Sequence, residues 1–276
     1  MALENNEERH LERTMNIPRT VYQTWPSNSL PENLAQNLRH NQTMASGWTF
    51  RLYSDEDIED FITTEYGPDM LSNYRKISPV YGAARADLFR YLLIYKYGGF
   101  YIDIKSHFTR ELGQVLHETD EYLLGRWADC GEAQYEGFGR HPEIQDGLGE
   151  YQQWYLAAIP RHPFLEAVLH AVVGNINSYL PSVHGVGRGG VLRTTGPIPY
   201  TNAILPIQNR HPHRIIRSFS DLGLQYSYLS GTDAHHQLFK KHYSVITEPV
   251  VKMDLRRKVL DLSLRSAKRL RRLWPN

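Results

Sequence analysis

The sequence predicts an α/β fold, because short apolar strands alternate with amphipathic helices along its first part. Residues 49–53 alternate as a half-buried strand does, and residues 80–97 repeat apolar side chains at helical spacing. Residues 100–104 then form a short apolar strand. Strands and helices in this alternating order are typical of one sheet with crossover connections.

The remaining elements follow from local signals. Pro18 lies near the start of a first strand, 17–22, and Pro31 suits the first turn of a helix over 30–40. Ser54 and Asp55 can cap the next helix, and Gly98-Gly99 ends the long helix in a tight turn. Further along the chain we predict a strand over 121–126, a Gly-rich loop over 131–149, a strand over 154–159, a helix over 163–180 and a loop over 181–199.

Composition and charge restrict the class of protein. The 276 residues are 41% hydrophobic and 22% charged, and there is one cysteine, which fits a globular domain in a reducing compartment. The polar segment 1–14 has no apolar core of a signal peptide, and no apolar run is long enough to span a membrane. Residues 1–251 hold 22 basic and 28 acidic side chains, so an acidic body argues against nucleic acid as partner.

Asp103 is the residue on which the functional prediction depends. It lies between Ile102 and Ile104 at the end of a predicted buried strand, where burying a charge is costly unless it is paired. Ligands of open α/β sheets bind beyond the carboxyl ends of the strands, and a divalent cation there could join this acid to a diphosphate. The alternative is an acid that caps the next loop or pairs with Lys105.

Asp87 and Arg90 lie on the preceding helix, at positions i and i+3, and therefore share a face. One interpretation is a surface ion pair, which contributes little. The other is a site in which the acid accepts hydrogen bonds from sugar or ribose hydroxyls while the arginine binds sugar or phosphate.

Four segments resemble glycosyltransferase family 32, a family of DXD-containing sugar transferases that includes polysaccharide-building enzymes. They follow one another in the order IPRTVYQTW (17–25), ARADLFRYLLIYKYGGFYID (84–103), YLAAIPRHP (155–163) and TTGP (194–197). The resemblance implies a GT-A fold, meaning a Rossmann-like sheet in a single domain, and a retaining transfer from a nucleotide-sugar donor such as a UDP-sugar.

The resemblance also implies roles for individual residues. Asp103, Asp87 and Arg90 would form the catalytic centre, with Asp103 holding Mn²⁺ or Mg²⁺. The donor would be bound by a wider set that includes Asp87 and Arg90 together with Gln23, Trp25, Arg85, Tyr101, Lys105, Thr195 and Gly196. Within this set Trp25 would stack on the nucleotide base and Tyr101 would line the donor pocket.

Lys105 is the main departure from the family pattern, because Asp103-Ile104-Lys105 replaces the usual Asp-x-Asp. Two residues apart on a strand, Lys105 could lie beside Asp103 and contact the diphosphate. Alternatively, a later residue completes the metal shell, for which the candidates are His235, His236, His242 and His184. The loops 131–149 and 185–196 could close over the donor or bind the acceptor.

The end of the chain has a different character. Over 252–274, Leu255, Val259, Leu262, Leu270 and Leu273 recur at helical spacing among basic residues. This is typical of a helix lying on an anionic membrane surface, and the alternative is a helix packed on the body through its apolar side. We therefore divide the chain into an extension (1–14), a catalytic domain (15–250) and a basic amphipathic helix (251–276).

The prediction is a cytoplasmic transferase, peripheral on the inner face of a membrane, that acts on a glycan or lipid-linked acceptor in surface polysaccharide synthesis. Two other functions fit parts of the sequence. Asp87 followed by Asp103-Ile104-Lys105 superficially matches an Asp-x-Lys metal-dependent nuclease. Loss of the second acid would also suit a non-catalytic protein that binds nucleotide sugars.

Overall fold

The computed structural model describes residues 15–127, 135–228 and 243–273. Its strands are β1 (Thr20–Thr24), β2 (Thr49–Tyr53), β3 (Gly99–Ile102), β4 (His107–Phe108), β5 (Leu123–Gly125), β6 (Tyr155–Ala158), β7 (Arg214–Ile216) and β8 (Leu224–Gln225). The main sheet has the order β2-β1-β3-β6, with β1 parallel to β2 and β3, and β6 antiparallel to β3. The predicted α/β fold with a Rossmann-like, mostly parallel sheet is confirmed.

Helices supply the crossovers between these strands. They are α1 (Glu32–Met44), α2 (Asp55–Lys76), α3 (Gly82–Tyr97), α4 (Leu112–Val115), α5 (Pro163–Ser178), α6 (Pro181–His184), α7 (Gly187–Thr194), α8 (Pro197–Ile204) and α9 (Leu255–Leu273). The predicted cap of α2 is confirmed, since the Ser54 side chain accepts from the Asp57 amide in a capping box. No helix in the described part of the chain has the length and apolarity that crossing a membrane requires.

The two faces of the main sheet are buried against different parts of the core. Tyr22 and Tyr101 belong to the larger cluster with the α3 and α5 side chains, whereas Val21 and Phe100 belong to a second cluster. This division follows from the period of two along each strand. Tyr101 therefore lies on the α3 side of the sheet, which brings it to the helix that carries Asp87 and Arg90.

Gly98 and Gly99 form the predicted tight turn between α3 and β3, with φ values of 64° and 102°. A Cβ atom on Gly98 would lie 2.7 Å from Cδ of Pro160, and one on Gly99 would lie 2.8 Å from the carbonyl oxygen of Thr20. Glycine is required at both positions for the backbone conformation and for the close approach of the neighbouring strands. The turn fixes how β3, and with it Asp103, follows the helix.

Two predictions about local structure are wrong. The segment predicted as a loop over 181–199 contains α6, α7 and the start of α8, because its prolines occupy first helical turns and its glycines lie at helix ends. The strand predicted over 100–104 ends at Ile102, and the Ser106 amide bonds the Asp103 carbonyl at 2.9 Å to form a turn.

His162 caps the N-terminus of α5, and its buried ring makes the stability of the fold depend on pH. Its Nδ1 accepts from the Phe164 amide at 3.3 Å and its Nε2 lies 3.1 Å from the Pro212 carbonyl oxygen, a pattern that requires the neutral ring. Burial is the largest cause that lowers its pKa to about 4. Because the unfolded histidine takes up a proton at higher pH than the folded one, stability falls as pH falls through this window.

We expect the wild type to lose on the order of 1–2 kcal/mol through His162 between pH 7 and pH 5. The His162→Asn variant keeps a capping acceptor but cannot titrate. Urea denaturation of both proteins at both pH values measures the effect. If the free energies of unfolding of the wild type and of His162→Asn differ by the same amount at pH 7 and at pH 5, the prediction is contradicted.

Candidate active site

The candidate site lies where β1 and β3 end side by side. Both strands run parallel, so Thr24 and Asp103 meet at the carboxyl edge of the sheet. The Tyr101 hydroxyl joins them, at 3.3 Å from Thr24 Oγ1 and 3.3 Å from Asp103 Oδ1. The position of Asp103 at the end of its strand therefore agrees with the sequence-based prediction.

Arg90 lies between two carboxylates. Its Nη2 is 3.3 Å from Asp87 Oδ1 and its Nη1 is 3.4 Å from Asp103 Oδ1, while the guanidinium carbon lies 4.7 Å from the centre of the Tyr101 ring. The side chains of Arg90 and Asp87 are only 7% and 4% exposed. The interpretation as a surface ion pair is therefore wrong, and a buried pair of this kind is costly to break.

Three neighbours complete the hydrogen bonding of this pair. Thr195 Oγ1 donates to Asp87 Oδ2 at 2.9 Å, and Arg90 Nη1 donates to the Gln153 carbonyl oxygen at 2.6 Å. The Tyr91 hydroxyl donates to the Thr195 carbonyl oxygen at 3.0 Å and also bonds the Gln153 side chain. The structure thus brings together three parts of the fold: helix α3, strand β3 with the turn after it, and the junction of α7 and α8. They carry Asp87, Arg90, Tyr101, Asp103 and Thr195.

The charge states of the site follow from burial and from the surrounding charges. Burial raises the pKa of Asp87 to about 6, although Arg90 and Thr195 oppose this shift. Burial disfavours the charged form of Arg90, yet Tyr101, Asp103 and Asp87 raise its pKa further above the ordinary value. Arg90 is therefore a permanent cation, and Asp87 is the group closest to titration at neutral pH.

Lys105 does not lie where a continuing strand would place it. Its Nζ donates to the Tyr226 hydroxyl at 2.7 Å and lies 4.0 Å from the centre of that ring. Asn37 donates to the Ile104 and Ser106 carbonyl oxygens and holds the intervening turn. Among the described residues no ion pair joins Lys105 to Asp103. Of the two alternatives, the one in which Lys105 lies beside Asp103 on one strand face is therefore not observed.

The other predicted donor residues have contacts of their own. Gln23 is buried and, by alternation with Thr24, faces the other side of the sheet. Trp25 follows β1 and is half-buried, with its amide bonded to the Tyr53 carbonyl. Arg85 packs over the Tyr74 ring and donates to a carbonyl of the preceding turn. Gly196 begins α8, where a Cβ would lie 2.9 Å from Leu192 Cα.

A divalent cation has one suitable protein ligand at this site. Asp103 Oδ1 is taken by Tyr101 and Arg90, whereas Oδ2 has no hydrogen-bond partner among the described residues and the side chain is 22% exposed. One open carboxylate oxygen fits an ion that is otherwise held by diphosphate and water. In the described ranges no group of three or more histidine, cysteine or acidic side chains could hold a metal.

Of the histidines proposed as further metal ligands, the described structure includes His184. Its Nδ1 accepts from the Leu180 amide at 3.2 Å and its ring stacks on Tyr179, and these contacts hold it at α6. The segment that follows it, predicted as a closing loop over 185–196, contains helix α7. His235, His236 and His242 lie outside the described residues.

A carboxylate and a buried arginine therefore lie together at the carboxyl edge of the sheet, where open α/β folds bind their ligands. Residues 26–122 match the family described as "Glycosyltransferase sugar-binding region containing DXD motif". This match agrees with the predicted resemblance to glycosyltransferase family 32. Within the matched region, Lys105 stands where the DXD motif has its second aspartate.

Curated proteins similar to this chain come from yeasts. Inositol phosphoceramide mannosyltransferase 3 of Schizosaccharomyces pombe is 34% identical over 41% of this chain and 31% of that protein. Inositol phosphoceramide mannosyltransferase 1 of the same species is 28% identical over 56% of this chain and 42% of that protein. Mannosyl phosphorylinositol ceramide synthase CSH1 of Saccharomyces cerevisiae is 28% identical over 64% of this chain and 41% of that protein. The matches span less than half of each relative.

Two of the solved structures that match this chain are glycosyltransferases of low sequence identity. "PaToxG Glycosyltransferase" has a TM-score of 0.45 at 14% identity and covers 70% of this chain and 69% of its own. The ligand-free glycosyltransferase domain of the YGT toxin has a TM-score of 0.46 at 9% identity and covers 90% and 89%.

Proposed function

We propose that this protein is a retaining glycosyltransferase that moves a sugar from a nucleotide-sugar donor to a glycan or lipid-linked acceptor. The observation that carries the proposal is the open Oδ2 of Asp103 beside the buried Arg90, at the carboxyl edge of the sheet. Retention of the anomeric configuration rests on the resemblance to family 32. The GT-A arrangement is part of the same proposal.

In this proposal the site residues have different tasks. Asp103 would hold Mn²⁺ or Mg²⁺ through its open Oδ2. The ion, when bound, would stabilise the negative charge that develops on the leaving diphosphate. Arg90 fixes Asp103 and supplies the nearest positive charge. Asp87 holds Arg90 and reaches donor hydroxyls only where Thr195 gives up its hydrogen bond. Trp25, next to Thr24, provides a stacking surface for the base.

We expect the donor reaction to depend on a divalent cation, because a single carboxylate and Arg90 leave the diphosphate charge incompletely balanced. Transfer or hydrolysis of the donor should fall at least tenfold in EDTA and recover with Mn²⁺ or Mg²⁺. The control is the same protein with Ca²⁺-loaded EDTA. Full activity in EDTA would mean that Lys105 or Arg90 alone balances the leaving group.

The donor is identified by a thermal-shift screen of UDP- and GDP-sugars with and without Mn²⁺, followed by hydrolysis assays of the compounds that stabilise the protein. A UDP-sugar is the first compound to test, and a mannosyl donor is the second because the relatives are named mannosyltransferases. Those names also favour a phosphorylated sphingolipid acceptor over a surface polysaccharide. If no nucleotide sugar raises Tm or is hydrolysed, the proposal fails.

The two alternatives predict other outcomes in the same screen. A non-catalytic binding protein would be stabilised by the donor without hydrolysis or transfer. The nuclease hypothesis requires Lys105 beside the two acids, whereas its ammonium is bound to Tyr226 and Arg90 occupies the space between Asp87 and Asp103. Cleavage of DNA, with no activity on nucleotide sugars, would nevertheless select it.

We also propose that the protein works in the cytoplasm, on the inner face of a membrane. Cytoplasmic leaflets are rich in anionic lipids, which attract basic segments. Fractionation of cells that express the full chain tests this location.

A further inference from the structure

Helix α9 attaches to the rest of the protein through polar groups. Asp261, only 3% exposed, accepts from the Ser182 amide at 2.7 Å through Oδ1 and pairs with Arg265 Nε at 2.7 Å through Oδ2. Burial opposes ionisation, but the bonds from Ser182 and Arg265 keep the pKa of Asp261 below its usual value. The carboxylate is therefore charged at neutral pH and holds α9 against α6.

The residues that begin α9 are also fixed to the body. The Lys252 amide donates to the Lys76 carbonyl at 2.8 Å, and the preceding Val251 is fully buried in a bridge with Ile77. The Arg257 guanidinium reaches the Ile176 carbonyl at 3.4 Å. These contacts define which side of the helix faces the protein, and that side is polar.

The opposite side of α9 presents apolar side chains to solvent. Leu255, Val259 and Leu262 lie at i, i+4 and i+7, and they are 76%, 55% and 63% exposed. We call these three residues the apolar row. The alternative in which the helix packs on the body through its apolar side is wrong. An exposed row of large apolar side chains at helical spacing indicates a surface that is covered by a partner.

Basic residues border the apolar row. Arg256 lies on one side of it and Lys258 and Arg265 lie on the other, and all three are exposed. The helix carries eight lysines and arginines against one acid, Asp261, which is itself neutralised by Arg265. The partner of this surface must therefore be both apolar and negatively charged.

We infer that α9 docks the enzyme on an anionic lipid surface, with the apolar row inserted among the lipids and the basic borders on the head groups. A single convex helix offers no groove, so it buries the row only against a partner that deforms around it, as a bilayer interface does. Nucleic acid would match the charge but leave the row exposed. The inference concerns binding alone and does not depend on which sugar the enzyme transfers.

The test is co-sedimentation of the full chain with phosphatidylcholine vesicles, with and without phosphatidylglycerol. We expect binding to the anionic vesicles only, weakened at least tenfold by high salt. The variant Leu255→Ser, Val259→Ser, Leu262→Ser should lose at least tenfold in vesicle binding. The control variant Val80→Ser, Ile215→Ser, Val245→Ser removes three exposed apolar side chains elsewhere and should bind as the wild type does.

Several results would overturn the inference. These are equal binding to neutral vesicles, no binding to either kind, or equal loss in the two triple variants. A concentration-dependent dimer that disappears in the Leu255→Ser, Val259→Ser, Leu262→Ser variant would instead assign the row to a second copy of the chain. Thermal melts of all variants verify folding, and donor hydrolysis in the absence of vesicles should be unchanged in both triple variants, which separates docking from catalysis.

Discussion

The Asp103→Asn variant is expected to lose about 10²–10³-fold in kcat/KM for donor hydrolysis and transfer. Its carboxylate is the open acceptor at the carboxyl edge of the sheet, and asparagine removes the charge without changing the shape. Since charge develops on the leaving diphosphate mainly in the transition state, kcat should fall as much as kcat/KM. Steady-state kinetics with the donor found by the thermal-shift screen measures both.

The loss in Asp103→Asn should not come from unfolding. Asp103 is partly exposed, and among the described residues its side chain bonds only Tyr101 and Arg90, so Tm should change little. Asp60→Asn, which removes an exposed carboxylate from α2, is the matched control and should keep full activity. More than half of the wild-type activity in Asp103→Asn would show that another group, such as Lys105, carries the leaving-group charge.

The sequence predicts the part of the fold that rests on periodicity and on turns. Strand β2 has the predicted bounds, and the Gly98-Gly99 turn is where its sequence places it. Such signals are local, because an alternation with period two or a pair of glycines is recognised within a few neighbouring residues. The Gly and Pro residues of 181–199 predict a loop, but the segment forms short helices. Glycine and proline interrupt long helices, yet they also occupy the ends and first turns of short ones.

Contacts within the site are predictable from spacing only where two residues share one element. Asp87 and Arg90 were paired by their i, i+3 spacing, and the structure confirms that they are neighbours. Gln153 and Tyr91, which complete the network, were missed because a backbone carbonyl and a neutral phenol leave no pattern in a sequence. The alternative that places Lys105 beside Asp103 requires a strand that continues to residue 104, whereas β3 ends at Ile102.

Amphipathic spacing in α9 has a similar limit. It groups Leu255, Val259 and Leu262 on one side of the helix, but it does not say which side packs against the protein. Asp261 decides this through its bond to the Ser182 amide. The sequence shows Asp261 only as a single acid among basic residues, and its partner lies 79 positions away.

Arg90→Met is expected to lower the free energy of unfolding by about 3–5 kcal/mol at pH 7.5, because it leaves a buried carboxylate at Asp87 without its cation. Burial already raises the pKa of Asp87 to about 6 in the presence of Arg90, and removing Arg90 raises it further. The folded variant therefore binds a proton more tightly than its unfolded chain. Its stability should rise relative to the wild type as the pH falls from 7.5 to 5.

Two further variants separate this electrostatic effect from lost packing. In Asp87→Asn, Arg90→Met the amide oxygen can still accept from Thr195, so part of the stability should return and its pH dependence should disappear, while donor turnover stays low. Arg75→Met breaks an exposed ion pair with Glu59 and should cost less than about 1 kcal/mol. Urea denaturation at both pH values measures all four proteins. If Arg90→Met lowers the free energy of unfolding by the same amount at pH 5 and pH 7.5, protonation of Asp87 does not restore stability. Asp87 would then not need Arg90 as its counter-charge.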